Sequence, residues 1–148
     1  PHDRTILDLY AGSGGLSLTL AAQGARSVIG VERSPEAVRA ATISGQKFGA
    51  KLRFIAASVE DAIDALPRAD AVAVNPPRKG LSRTVIAALL RRAPVDLVYV
   101  SCDPGTLARD LATMGSGARI ARVTPVDLFP QTRHVETVVT LRLELPSP

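Results

Sequence analysis

Short apolar runs alternate with longer stretches of helical spacing along most of this chain. The runs lie at residues 5–9, 27–31, 52–56, 71–74 and 96–100 and are short enough to be buried strands. The stretches between them, which predict helices, lie at residues 16–23, 35–48, 59–66, 84–92 and 105–114. Strands and helices in alternation predict an α/β fold with a mostly parallel sheet and helices on both faces.

The pattern changes after Gly117. Residues 119–126 and 137–145 read as two strands with no helix between them, joined by a loop at 129–136. They predict an antiparallel hairpin at the sheet edge, which brings the number of strands to seven. Local signals support the helix assignments: Ser34 is a capping residue before Pro35, and Gly24 and Gly49 are expected at helix ends.

Composition favours a single compact domain over residues 1–148, since 46% of the residues are hydrophobic. One cysteine excludes an internal disulfide and points to a reducing cytoplasm. No apolar run is long enough to cross a bilayer, and the start resembles no signal peptide. Because the chain begins without methionine, we expect an excised domain that lacks an N-terminal portion. A monomer is expected, and no cluster predicts a metal site.

The charge is compatible with a polyanionic partner but does not identify one. The net charge is +4 and the isoelectric point is near 9.8. Aromatic residues make up only 3% of the chain and tryptophan is absent, so no base-stacking platform is predicted. If the partner is a nucleic acid, another domain is expected to contribute much of the binding.

A glycine-rich turn predicts a cofactor pocket. Gly12, Gly14 and Gly15 follow the first strand and precede the first helix, where small residues let a ligand approach the backbone. Glu32 ends the second strand, twenty residues after Gly12, and can accept hydrogen bonds from both hydroxyls of a ribose. The turn and the acid together predict a nucleoside cofactor.

Other residues indicate which nucleoside cofactor is expected. Ser17 stands where a dinucleotide-binding turn has its third glycine, which favours S-adenosylmethionine because this cofactor has no pyrophosphate. The turn, including Tyr10, resembles the first motif of methyltransferases. Asn75, which begins Asn-Pro-Pro after the fourth strand, is expected between the methyl donor and the acceptor, and Ser58 is expected near the adenine.

Cys102 is the candidate nucleophile. It directly follows a predicted buried strand, where open α/β sheets place reacting groups. A free cysteine commonly packs as a small hydrophobic residue, but a second polar segment, which contains His134 and Glu136, offers a proton acceptor.

These motifs resemble, in order and over nearly the whole chain, the RNA uracil-5-methyltransferase family. The resemblance rests on Asn75-Pro76-Pro77-Arg78-Lys79-Gly80, Tyr99-Val100-Ser101-Cys102-Asp103-Pro104 with its following helix, and Asp127-Leu128-Phe129-Pro130 with His134-Val135-Glu136. It implies a Rossmann-like methyltransferase fold, S-adenosylmethionine as cofactor and 5-methyluridine formation in ribosomal or transfer RNA. It also implies that Cys102 is the nucleophile and Glu136 the general base.

Two further sites have more than one expected role in such an enzyme. His134 is expected to bind RNA, to orient Glu136 or to make a structural hydrogen bond. Arg109 and Asp110 are expected either to pair on a helix surface or to leave Arg109 free for phosphate or uracil.

Three positions depart from the family pattern, which often has Cys at Ala11, Asp at Asn75 and Asn at Asp103. Two alternatives stay open. An amino-directed methyltransferase would use Asn-Pro-Pro, but an aromatic residue usually follows that motif, and here Arg78 does. A non-catalytic Rossmann-like module would only bind RNA or a protein. Both leave Cys102 and Glu136 unexplained.

Overall fold

The computed structural model describes residues 1–93, 95–127 and 136–144. The chain forms two compact units, Pro1–Val74 and Asn75–Pro148. The first unit contains four strands and three α-helices in alternation. They are β1 (Thr5–Leu9), α1 (Gly15–Ala22), β2 (Ser27–Glu32), α2 (Pro35–Gly45), β3 (Leu52–Ala56), α3 (Val59–Ala62) and β4 (Ala71–Val74).

The four strands of the first unit are parallel and lie in the order β3-β2-β1-β4. β1 is central and buried along almost its whole length, as is β2. The chain moves outward from β1 through β2 to β3 and then crosses to the other side of β1 to form β4. Such a reversal opens a crevice at the carboxyl ends of the strands, which is where α/β proteins bind ligands.

The local sequence signals that predicted helix ends have the expected backbone geometry and hydrogen bonds. The Ser34 hydroxyl accepts a hydrogen bond from the Ala37 N–H at 3.3 Å, and Pro35 is the first residue of α2. After α1, Gly24 has φ 87°, and its N–H donates to Ala21. Gly49, expected at a helix end, has φ 58°.

Two predicted helices are shorter than expected. The segment predicted at 35–48 is α-helical only to Gly45 and continues as a 3₁₀ helix over Gln46–Lys51. A Cβ at Gly45 would lie 2.9 Å from the Leu52 side chain, so the last residue of α2 packs closely against the start of β3. The helix predicted at 59–66 likewise becomes 3₁₀ at Ile63–Ala65. Both helices thus end in 3₁₀ turns, which are frequent at helix C-termini.

The described residues of the second unit form two α-helices and three strands. They are α4 (Arg83–Arg91), β5 (Val95–Ser101), α5 (Pro104–Met114), β6 (Ala118–Val126) and β7 (Glu136–Leu143). β7 lies between β5 and β6 and is antiparallel to both. The predicted hairpin is therefore present, with its second strand inserted beside β5. Glu136, which was predicted in the loop, is the first residue of β7; the loop's other residues lie outside the described part of the chain.

The predicted α/β fold class is confirmed, with seven strands of which the last two are antiparallel. Among the described residues, no helix combines the length and the apolar character needed to span a membrane.

Candidate active site

The glycine turn lies at the carboxyl end of β1. Tyr10 has φ 65°, which is rare for a residue with a side chain, and Gly12 has φ 55°. The Ala11 N–H donates to the Val31 carbonyl at 3.0 Å, and the Gly14 N–H donates to the Ala11 carbonyl at 2.9 Å. The turn is therefore tied to the end of β2 and leads directly into α1.

The three glycines of the turn have different roles. A Cβ at Gly12 or Gly15 would meet nothing within 4 Å, so these positions leave open space next to the backbone. A Cβ at Gly14 would lie 2.7 Å from the Phe54 ring, and Gly14 also has φ 84°. Gly14 is thus required by packing, whereas Gly12 and Gly15 leave the room that a ligand needs.

Glu32 contacts the turn directly. Its Oε2 accepts the Gly12 N–H at 3.0 Å, and its Oε1 accepts the Ser34 N–H at 2.8 Å. Each carboxylate oxygen can accept more than one hydrogen bond, so Glu32 keeps capacity for two ribose hydroxyls. The structure therefore brings together the turn and the acid that the sequence singled out.

Asp8 is a polar residue of this site that the sequence analysis did not select. It is 1% exposed, and Ser17 donates to it through both the hydroxyl, at 2.5 Å, and the backbone N–H. Burial raises the pKa of the Asp8 carboxyl, and the Ser17 hydrogen bonds oppose this shift. Asp8 of β1 is thus a buried acceptor for Ser17 and ties the first turn of α1 to the end of β1.

Ser58 and Asn75 follow the third and fourth strands, as predicted. The Ser58 hydroxyl caps α3: it accepts the Asp61 N–H at 3.1 Å and donates to the Asp61 carboxylate at 2.6 Å. The preceding Ala57 N–H donates to the Glu32 carbonyl at 3.0 Å, which ties the end of β3 to that of β2. Asn75 is exposed and follows the last residue of β4.

The second unit brings Cys102 and Glu136 to the ends of neighbouring strands. The pairing of β5 with β7 runs from Val95 opposite Leu143 to Ser101 opposite Thr137. Cys102 follows Ser101, and Glu136 precedes Thr137, so the two residues lie one step beyond the last pair. The register thus carries Cys102 and Glu136 to the same end of two neighbouring strands.

Burial alternates along β5, and this alternation indicates on which face of the sheet Cys102 and Glu136 lie. Ser101 and every second residue before it are buried, whereas Val100 is half-buried. Cys102 is half-buried, as is Glu136. On the same half-exposed face, Asp96 accepts a hydrogen bond from Arg142 at 2.7 Å. The thiol and the carboxylate thus belong to the accessible face of these strands.

The segment after Cys102 begins α5. The Asp103 side chain caps this helix by accepting the Thr106 N–H at 2.8 Å, and Pro104 is the first helical residue. This hydrogen bond holds the pKa of the Asp103 carboxyl below its usual value. His134 lies outside the described residues.

Asp110 is a second polar residue that the structure places differently from the sequence analysis. It pairs with Arg109 at 2.6 Å, as one expectation had it, but it is 1% exposed and not on the helix surface. Its Oδ2 accepts the Tyr99 hydroxyl and the Leu81 N–H, both at 2.7 Å. Helical spacing contained this signal, because Asp110 lies on the buried stripe of Leu107 and Met114.

Comparison with known proteins defines the class first. The sequence profile of a family described as "Methyltransferase domain" matches residues 6–93. A putative RNA methyltransferase of Pyrococcus horikoshii shares the fold, with a TM-score of 0.74 over 97% of this chain and 76% of that one at 19% identity. The fold is that of a Rossmann-like methyltransferase, which confirms the class predicted from the turn.

The family follows from the second half of the chain. The profile of the tRNA (uracil-5-)-methyltransferase family matches residues 66–144, and the chain belongs to this family. A tRNA (uracil-54, C5)-methyltransferase of Pyrococcus abyssi, solved with S-adenosyl-L-homocysteine, has a TM-score of 0.83 and 35% identity over 92% of this chain and 33% of that one.

Curated relatives of this chain are also named RNA methyltransferases. An uncharacterized RNA methyltransferase of Gloeobacter violaceus is 46% identical over 94% of this chain and 30% of its own length. One from Clostridium tetani is 40% identical over 94% of this chain and 31% of its own length. The chain spans about a third of the length of the curated relatives it matches. Membership confirms the predicted family and the enzyme class, whose cofactor is S-adenosylmethionine.

Proposed function

We propose that this protein methylates C5 of a uracil in ribosomal or transfer RNA through a covalent bond between Cys102 and C6 of the base. The observation that supports this most directly is the register of β5 and β7, which carries Cys102 and Glu136 to neighbouring strand ends. A thiol and a carboxylate around one base are the minimum protein equipment for this reaction. We also propose a reducing cytoplasm as its setting and a monomer as its form, acting as one catalytic domain.

The proposed reaction has two halves. Uracil C5 is a weak nucleophile, so the Cys102 thiolate first adds to C6 and breaks the C5–C6 double bond, which makes an enolate that is nucleophilic at C5. After C5 has accepted the methyl group, the Glu136 carboxylate removes the C5 proton. The electron pair of that C–H bond re-forms the double bond and expels the Cys102 thiolate.

The first unit fits S-adenosylmethionine, which when bound supplies an electrophilic methyl group on a sulfonium sulfur. Gly12 and Gly15 provide open space beside the backbone, and Glu32 offers acceptors for the ribose. Ser17, which stands where a dinucleotide-binding turn has its third glycine, donates to the buried Asp8, which suits a cofactor without a pyrophosphate. The proposed cofactor site at the ends of the strands also includes Tyr10, Gly14, Ser58 and Asn75.

Replacing Glu32 by alanine is expected to weaken S-adenosylhomocysteine binding by roughly 10- to 100-fold, since hydrogen bonds to a charged group contribute about 1.5–3 kcal/mol each. The substitution also releases the Gly12 N–H and loosens the turn. Isothermal titration calorimetry measures the change. Glu36→Ala, an exposed acid in the first turn of α2, is the matched control and should bind like wild type. Equal affinity in both variants would remove Glu32 from the site.

RNA that contains 5-fluorouracil tests the covalent mechanism. With S-adenosylmethionine present, the fluorine takes the place of the proton that Glu136 must remove, so elimination fails and the protein stays bound to the RNA. Denaturing electrophoresis should show this adduct as a slowly migrating band that is absent without S-adenosylmethionine. Methylation of ordinary RNA without a trapped adduct would instead favour the amino-directed alternative. Loss of both activities would favour a module that only binds.

A further inference from the structure

A cavity of about 380 Å³ lies in the second unit, between the loop before α4 and the side of α5. Its lining includes the side chains of Lys79, Arg83 and Arg109, which are all exposed. Among the described residues that line it, there is no phenylalanine, tyrosine or tryptophan. The cavity therefore offers positive charge without a surface on which a base could stack.

Asp110, the one acid among the described lining residues, does not cancel this charge for a ligand. It is 1% exposed and is already the acceptor for Tyr99, Leu81 and Arg109. Arg109 contacts Asp110 through Nε and Nη2 only, and its side chain is 56% exposed. Within the described residues, its Nη1 has no hydrogen-bond partner, so it remains a donor for an anion.

Helix stability does not explain the position of Arg83. Arg83 is the first residue of α4, where the helix dipole disfavours a positive charge. Ser82 already caps this helix by accepting the Val85 N–H at 3.3 Å. Neither Arg83 nor Lys79 forms an ion pair with another described residue, so their charges are available to a ligand.

The cavity is coupled to the proposed catalytic segment through α5 and the loop. Arg109 Nη2 donates to the Lys79 carbonyl at 2.7 Å and so holds the loop against the helix. A Cβ at Gly80 would lie 2.3 Å from Thr106, so the loop packs closely on the first turns of α5. Arg109 lies five residues into a helix that begins two residues after Cys102, about 8 Å along its axis.

We propose that this cavity binds a backbone phosphate of the RNA substrate, close to the target uridine along the strand. Arginine guanidinium groups are suited to phosphate because they donate in a planar, bidentate geometry, and Lys79 adds a point charge. The proposal rests on the proposed function, because it assumes that the substrate is RNA. It assigns Lys79, Arg83 and Arg109 to strand positioning and not to base recognition.

The test compares the variant Lys79→Ala/Arg83→Ala with the control Lys51→Ala/Arg39→Ala, which removes the same two residue types at exposed positions of the first unit. Affinity for the RNA is measured over a series of KCl concentrations. The cavity variant should bind about tenfold more weakly at low salt, and the slope of log K against log salt should fall by about 1. The control should keep the wild-type slope. Lys79→Arg/Arg83→Lys, which retains both charges, should restore it.

S-adenosylhomocysteine affinity, measured on the same samples, verifies that the variants are folded. An unchanged slope and affinity in the cavity variant would overturn the proposal. The proposed function would still be supported if the wild-type protein forms the adduct with 5-fluorouracil RNA. Absence of that adduct would instead count against the proposed function. If inorganic phosphate binding requires Lys79 and Arg83 but RNA binding does not, the cavity holds a free anion, and its assignment to RNA is wrong.

Discussion

Replacing Cys102 by serine is expected to lower the rate of RNA methylation by at least about a thousandfold. A hydroxyl is a far poorer nucleophile than a thiolate at neutral pH, so addition to C6 should fail. Cys102 is half-buried, and serine is nearly the same size, so the fold should be retained. Transfer of a labelled methyl group to RNA measures the effect.

The cysteine variant carries its own control, because the proposed cofactor residues lie in other segments of the chain. Its affinity for S-adenosylhomocysteine should equal that of wild type, and it should form no adduct with 5-fluorouracil RNA. Appreciable turnover by Cys102→Ser would exclude covalent catalysis through this residue. Loss of cofactor binding would show instead that the substitution had damaged the fold.

Replacing Glu136 by glutamine should stop the reaction at a different stage. Addition of Cys102 and methylation need no base for the C5 proton, whereas elimination does. The variant should therefore methylate ordinary uridine RNA and stay covalently attached to it, with product release slowed by about 100-fold or more. Denaturing electrophoresis with unmodified RNA detects the complex as a slowly migrating band.

Glu144→Gln is the matched control for this experiment. Glu144 directly follows the last residue of β7 and pairs with Arg119 at 2.8 Å, at the end of the strand away from Cys102. This variant should release methylated RNA like wild type, without an accumulated band. Release at the wild-type rate by Glu136→Gln would show that Glu136 is not the base, and His134 or a water molecule would become the better candidate.

The two substitutions together separate the nucleophile from the base. Cys102→Ser should give neither product nor adduct, whereas Glu136→Gln should give methylated RNA that remains attached. We expect one base to meet both groups because the register of β5 and β7 carries them to neighbouring strand ends. A double variant should behave like Cys102→Ser, since the reaction cannot reach the step that needs Glu136.

The strands and the glycine turn could be predicted because their causes are local. An apolar run such as residues 5–9 must be buried, and the observed β1 has these bounds. Ser34 and Pro35 start a helix through their own side chains and backbone restrictions. The positions of Cys102 and Asn75 after predicted strands followed from the same pattern, because polar residues end a buried run.

Tertiary packing determined the features that local sequence patterns could not predict. The helix predicted at 35–48 is α-helical only to Gly45, where a Cβ would lie 2.9 Å from the Leu52 side chain. Gly14 was assigned to ligand approach, yet the Phe54 ring fills the space where its side chain would lie. Asp110 was expected on the helix surface because carboxylates usually are, and it is buried because Tyr99 and Leu81 supply hydrogen bonds.

The sequence by itself determined the candidate residues for the chemistry: one thiol, one acid at the end of a predicted loop, and a turn with a spaced acid. Only the tertiary structure decided that Glu136 begins a strand inserted beside β5, because strand pairing joins residues more than thirty positions apart. The same holds for the basic cavity, whose cations come from a loop and two helices and share a surface only after α5 has packed against that loop.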